Sequence, residues 1–447
     1  MLDVSAAQER AAALIDRARR AGAQAADAVY IADAAESVAV RLGALEDLER
    51  SESEHVSLRV FAGKGSASIG SSDLADAALE ELAVRAVAMA RAAPEDPYAG
   101  LAPEDLLARG ALPDLDLSDE AAPSPAELRR VAEETEAAAL AVAGVTNSQG
   151  GSASAGRTVV ALATSHGFAG GYVTTSHSVS ASVVAGEGAG MQRDFAWRAT
   201  RHRADLPGAA EIGRLAGERA VARLAPGRLA SGPMPVVFDP RVGGTLVGHL
   251  VSAMTGSAIA RRASFLLGHD GEQLFPEDIT IIDEPLRVRG LRSKPFDGEG
   301  LPTARRVLVE NGRLTGWLMN VAAARQLGGQ PTGHATRGGG APGIGNTNTH
   351  LAAGRQTPAE LIADIADGVY VTELIGQGVN GVTGDYSRGA SGVRIVNGQF
   401  AGPVAEFTVA GNLLAMFAGL RAANDLEWHR AVNVPTLRID GMMVAGD

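Results

Sequence analysis

The spacing of apolar residues divides the chain into helical and extended stretches. In the opening run AAQERAAALIDRARRAG the apolar positions recur at the spacing of one helix face, and Gly22 marks the stop. Segments such as VAVRL and VSLRVF then alternate apolar and polar residues between turn residues, the period of half-buried strands. DLADAALEELAVRAVAMARAA returns to the helical period behind an Asp start, and a Pro- and Asp-rich connector follows at about 92–123. The order then repeats: SPAELRRVAEETEAAALAVAG reads as a helix, VTNSQGGSASAGRTVVALATSHGFAGGYVTTSHSVSASVVAGEG as strands, and PGAAEIGRLAGERAVARLAPG as another helix. The pattern predicts a loose α-β-β-β-α repeat over 1–225, which two related subdomains or a common α+β order would both produce.

From MPVVFDP onward, over 226–447, the pattern becomes strand-rich with long loops. RRVLVENGRLTGWL and VRIVNGQFAGPV each carry Asn-Gly between alternating runs, a hairpin signal because both central turn residues need positive φ. The stretch TGHATRGGGAPGIGNTNTH (332–350) holds too many glycines for a regular element and predicts a long loop, functional or merely connecting. The expected fold is therefore α+β: an N-terminal α+β domain, then a strand-rich C-terminal domain, sheet or barrel-like.

Composition narrows the function classes. With 52 acidic and 40 basic residues the net charge is −12, which argues against nucleic acid or an anionic membrane as partner. No cysteine is present, so disulfides, thiolate zinc sites and a cysteine nucleophile are excluded. The N-terminal amphipathic stretch contains acidic residues and does not read as a signal sequence, and no run approaches a membrane span. A cytoplasmic protein is expected.

Candidate chemistry centres first on GHLVSAMTG, Gly248 to Gly256. A zinc peptidase needs two or three imidazole, carboxylate or thiolate ligands and a carboxylate base, and a helix carries HExxH ligands on one face. Here Leu250 follows His249, Ala253 and Met254 stand where a second histidine belongs, and no Glu occurs in 241–260. His249 therefore reads as structural or vestigial. His334 and His350 flank the glycine-rich stretch and could pair at a metal. His166 and His177 lie among predicted strands with no acidic partner in register. DLDLSDE at 114–120 fails as a calcium loop, since Asp119 replaces the turn glycine and Pro125 the closing ligand. The glycines around Lys64 lack phosphate-loop spacing, and no GxSxG elbow is present.

The run VNGVTGDYSRGASGVRIVNGQFAGPVAEFTVAGNL (379–413) is more distinctive. It reads as a polar turn over 384–389, with an Asp385–Arg388 pair or a partner-binding surface, then a hairpin, then Glu406 in an otherwise apolar strand. Neither Tyr386 nor Ser387 has an evident base to act as a nucleophile.

This run resembles the TldD/PmbA family (peptidase U62 type), in its PmbA (TldE) branch. So do RLGALEDLERSESEHVSLRVFAGKGSAS, APEDPYAGLA, VVFDP, ARRASFLLG, GLPTARRVLVENGRLTGWLMN and VTGDYSRGASG, in that order along the chain. The resemblance implies a cytoplasmic, heteromeric zinc metallopeptidase that trims unfolded or modified peptides, with zinc held in TldD by HExxxH and a more distant cysteine. Laid on this sequence, His249 falls at the first motif histidine, Leu250 at the glutamate and Met254 at the second histidine. The implied role is a non-catalytic subunit with no catalytic or metal-binding residue of its own. It would pair with a zinc-bearing TldD-like partner and contact peptide substrate, and would form a possible homodimer when isolated. Asp385, Tyr386, Arg388, Glu406, His334 and His350 are the candidate substrate- or partner-binding residues. A stand-alone homodimeric scaffold, and a self-sufficient hydrolase using His334, His350 or Glu406, are the rival expectations.

Overall fold

The computed structural model describes residues 1–446. The N-terminal half contains α1 (Val4–Arg20), β1 (Ala25–Arg41), β2 (Ala44–Ala62), β3 (Gly65–Ser71) and α2 (Asp76–Ala92). The same order returns in α3 (Pro125–Leu140), β4 (Val145–Thr164), β5 (Ala169–Ala185), β6 (Gln192–Thr200) and α4 (Ala209–Val221). Side-chain caps start α1 and α3, while α2 and α4 begin without one. The Asp3 side chain accepts from Ala6 N at α1, and Ser124 and Glu127 form a capping box ahead of Pro125 at α3.

The predicted repeat is present, and its two copies share one sheet. All six strands pair antiparallel in the order β3-β2-β1-β4-β5-β6, with β1 and β4 joining the copies at the centre. Period two then divides the faces of β1. Ala26, Ala28, Tyr30 and Ala32 pack under α1 and α2, while Val29 points to the other face and meets Phe296 and Val321 of the C-terminal half. Ala, Val and Leu build these layers, as the scarcity of aromatics requires.

The C-terminal half contains β7 (Gly232–Phe238), α5 (Pro240–Ala253), β8 (Ile281–Asp283), β9 (Arg306–Glu310), β10 (Arg313–Leu314), β11 (Ala335–Thr336), β12 (Gly343–Ile344) and β13 (Thr349–Leu351). It continues with β14 (Asp367–Ile375), β15 (Asp385–Val396), β16 (Gln399–Asn412), β17 (Leu420–Ala422), β18 (Val432–Asn433) and β19 (Leu437–Ala445). The pairings β16-β15-β14-β7-β19 return to β16, closing a five-stranded barrel whose strands and α5 share one core. Both Asn-Gly turns form as expected, with positive φ at Asn311, Gly312, Asn397 and Gly398.

Two local expectations need correction. Residues 384–389 are not a turn: Asp385 opens β15, where Tyr386, Arg388 and Ala390 alternate inward. The glycine-rich stretch is not wholly irregular either, because β11 pairs with β12 and β13 joins β8 and β18.

Candidate functional site

Helix α5 begins where Asp239 accepts from Arg241 N, with Pro240 in its first turn. Its apolar face enters the barrel core, carrying Leu250 and Met254, both fully buried. His249 lies on the adjoining face, half-buried, and its Nε2 has no hydrogen-bond partner. The strand β15 brings Tyr386 against it, with ring centroids 6.1 Å apart in an edge-to-face arrangement. Two candidates chosen for unrelated reasons therefore meet.

Arg388, two residues along β15 on the same inward face, completes the group. Its Nη2 reaches Leu374 O at 3.4 Å, whereas its Nε, like the Tyr386 hydroxyl, is buried without a partner. Burial, and then the neighbouring guanidinium of Arg388, hold the His249 imidazole below its ordinary pKa. Burial pushes the Tyr386 phenol up to about 12, with Arg388 pulling the other way.

These residues do not fit a zinc ion. The other motif positions, Leu250 and Met254, are apolar and face the core, the charged group that acts on His249 is the Arg388 cation, and among the described residues no carboxylate is placed to activate water there. Among the described residues, no group of three or more His, Asp or Glu side chains converges as a metal site.

The other sequence candidates lie apart from this group. Asp385 accepts from the Thr383 hydroxyl at 2.6 Å and from Asn412 Nδ2 at 3.3 Å, so the expected Asp385–Arg388 pair does not form; alternation along the strand sends the two side chains to opposite faces. Glu406 stands at φ 58°, its side chain turned outward to Arg228 Nη2 at 2.7 Å. His334 is buried, with Nδ1 donating to Thr332 O at 2.7 Å and Nε2 3.3 Å from Asp283 Oδ2. Although burial opposes it, His334 and the Thr347 and Thr349 hydroxyls hold the Asp283 carboxyl below its usual range. His350 packs 4.6 Å from the Trp428 ring instead of joining His334 at a metal.

His177 also needs correction. It has an acidic neighbour after all, since Asp119 of the connector reaches to 3.4 Å from its Nε2, while His166 sits in the turn between β4 and β5.

Sequence reasoning missed a buried ionic cluster where the glycine-rich segment crosses the six-stranded sheet. Arg337 and Arg59 both bond Asp27, and Glu299 lies 3.6 Å from Arg59. The signal available was a lone Arg beside three glycines; its partners on β1 and β2 follow only from the tertiary fold.

Three family models match successive parts of the chain: PmbA/TldA metallopeptidase domain 1 over 26–90, the central domain over 118–224, and the C-terminal domain over 231–446. The chain belongs to the TldD/PmbA metallopeptidase family. It is 37% identical over 412 residues to the metalloprotease PmbA of Escherichia coli O157:H7, covering 92% of this chain and 90% of that one. A PmbA homolog of Haemophilus influenzae is 34% identical over 97% of this chain and 94% of its own length. Among solved structures, a candidate modulator of DNA gyrase from Bacteroides thetaiotaomicron superposes with a TM-score of 0.91 at 27% identity, covering 98% of this chain and 99% of that one. TldE from Thermococcus kodakarensis gives 0.80 at 20% identity over 98% of this chain and 100% of its own, a likeness of fold alone.

Proposed function

We propose that this chain is a PmbA/TldE-like, non-catalytic subunit of a cytoplasmic TldD–TldE-type zinc metallopeptidase that degrades or processes unfolded or modified peptides. One observation carries the reading. At the motif position of α5, His249 stands with two core side chains and a buried arginine where a peptidase needs ligands and a base. Hydrolysis then belongs to a TldD-like partner bearing the intact HExxxH motif and the zinc, and this chain supports that partner and helps enclose the peptide path. Asp385, Glu406 and the glycine-rich segment 333–346 offer exposed positions for partner contact.

Co-expression of this chain with an HExxxH-bearing family member tests the assignment. The expected result is a co-purifying pair that cleaves an unfolded peptide, with activity kept by His249→Ala here and lost when the partner's motif glutamate is replaced. Peptidase activity in the lone chain that His249→Ala abolishes would refute it.

A further inference from the structure

Where β6 meets the C-terminal half, a cleft of about 330 Å³ is lined by Ala199 and Thr200 on one side and by Arg287, Asn348, Trp428 and Arg430 on the other. This volume falls near the lower end of ligand sites, about 300–1,000 Å³. Its charge runs against that of the molecule, which carries −12 overall.

Four arginines line the cleft, and two of them are already committed. Arg201 donates to Thr175 O, Gly290 O and Leu291 O, and Arg289 pairs with Asp116 and Asp205. The other two are held less firmly. Arg287 lies over Trp428, its guanidinium carbon 3.4 Å from the ring centroid, and pairs only loosely with Glu284, 3.8 Å from its Nη1. Arg430 sits over Trp197 at 5.1 Å and, among the described residues, has no side-chain hydrogen bond or ion pair. Of the acidic residues nearby, Asp205 is held by Arg289 at 3.1 Å and Glu427 by His429 at 2.5 Å, while Glu284 is shared between Arg287 at 3.8 Å and Arg305 at 3.6 Å. Burial, and then Arg198, hold the Arg430 pKa below its usual value, with Asp239 pulling the other way. His350 backs the Trp428 ring and fixes the wall.

The strand β6 is an edge of its sheet. Two of its carbonyls are covered by side chains, Phe195 O by Arg219 at 3.2 Å and Trp197 O by Arg198 at 2.9 Å. Period two makes Ala199 the next outward-facing backbone unit, and it lines the cleft. At Ala199 the edge leaves one backbone unit uncovered for an extended peptide to pair with, as peptides do in β-augmentation.

We infer that this cleft binds an extended peptide at β6 and clamps one acidic side chain of it between Arg287 and Arg430. The shape of the cleft supplies an edge for backbone and two planar cations for a carboxylate. The inference rests on reading the chain as a peptide-handling subunit, yet it concerns binding by the chain alone. Failure to pair with an HExxxH partner would therefore sink that reading while leaving this result intact, and the reverse also holds.

The test is fluorescence anisotropy of the purified full chain with a labelled, end-capped octapeptide of Gly, Ser and Thr holding one central Glu. The same peptide with Gln serves as its counterpart. The expected result is binding of the Glu peptide, about tenfold or more weaker for the Gln peptide, and a similar loss for Arg287→Gln and Arg430→Gln. Arg430→Lys recovers only part. Circular dichroism checks folding, and if Arg430→Gln does not fold, Arg287→Gln decides. Equal binding of the two peptides overturns the proposal, as does indifference to both substitutions. It is overturned too if free glutarate competes as well as the peptide, or if an uncapped Gln peptide matches the Glu peptide.

Discussion

His249 and Tyr386 meet edge to face across the barrel wall, 6.1 Å between ring centroids, each holding a buried polar atom without a partner. An unpaired buried hydroxyl costs stability, so its removal without loss of ring volume is nearly free. Tyr386→Phe is expected to leave the unfolding free energy within about 1 kcal/mol of the parent, or to raise it. Met254, at the place of the second motif histidine, is fully buried in the barrel core. Met254→Ala is expected to cost about 2–5 kcal/mol. Urea denaturation of both variants checks the contrast, and a larger loss for Tyr386→Phe would mean that the hydroxyl has a partner the account lacks.

Glu299 sets a pH dependence. Burial raises its carboxyl from 4.5 to about 7, with Arg59 pulling it down. The native chain thus holds a proton that the unfolded chain releases. The stability this proton contributes is complete below about pH 4.5 and is lost as pH rises through about 7. Glu299→Gln keeps an acceptor for Val321 N–H, bonded at 2.8 Å, but does not ionise. Relative to the variant, the parent is expected to lose up to about 3 kcal/mol between about pH 5 and pH 8. Thermal melts across that range test it, and parallel curves would contradict it.

Arg337 ties the glycine-rich segment to the sheet. Its side chain is only 3% exposed and bonds Asp27, which Arg59 also holds. Arg337→Ala removes one cation from a buried cluster and is expected to cost about 3 kcal/mol. Amide exchange should quicken across 335–345 before the rest of the molecule. Unchanged protection there would show that the segment is held by β11–β12 pairing alone.

Much of the architecture was legible because it rests on local rules. The starts of α1 and α3, the two Asn-Gly hairpins and the repeated α-β-β-β-α order each follow from turn chemistry or period, whereas the Asp start expected for α2 is replaced by an uncapped Ala75. The β1–β2 hairpin was harder to place, because its turn puts Leu42 at φ 50° ahead of Gly43 at 75° and no Asn-Gly announces it. Barrel closure through β16 and β19, and the joining of the repeats through β1 and β4, are long-range pairings that no window of sequence contains. At the candidate site, the glycines and Ser387 of VTGDYSRGASG suggested a turn, while the inward alternation of Tyr386, Arg388 and Ala390 was present in the same letters. The cleft beside Trp428 was invisible, since its residues come from β6, the segment after β8 and the approach to β18.

This chain is expected to hold no catalytic zinc of its own. Elemental mass spectrometry of the purified chain, after incubation with zinc and desalting, tests it most directly. Far less than one zinc per chain is expected. One tightly held zinc per chain would contradict it and would require ligands among the nine histidines and the carboxylates.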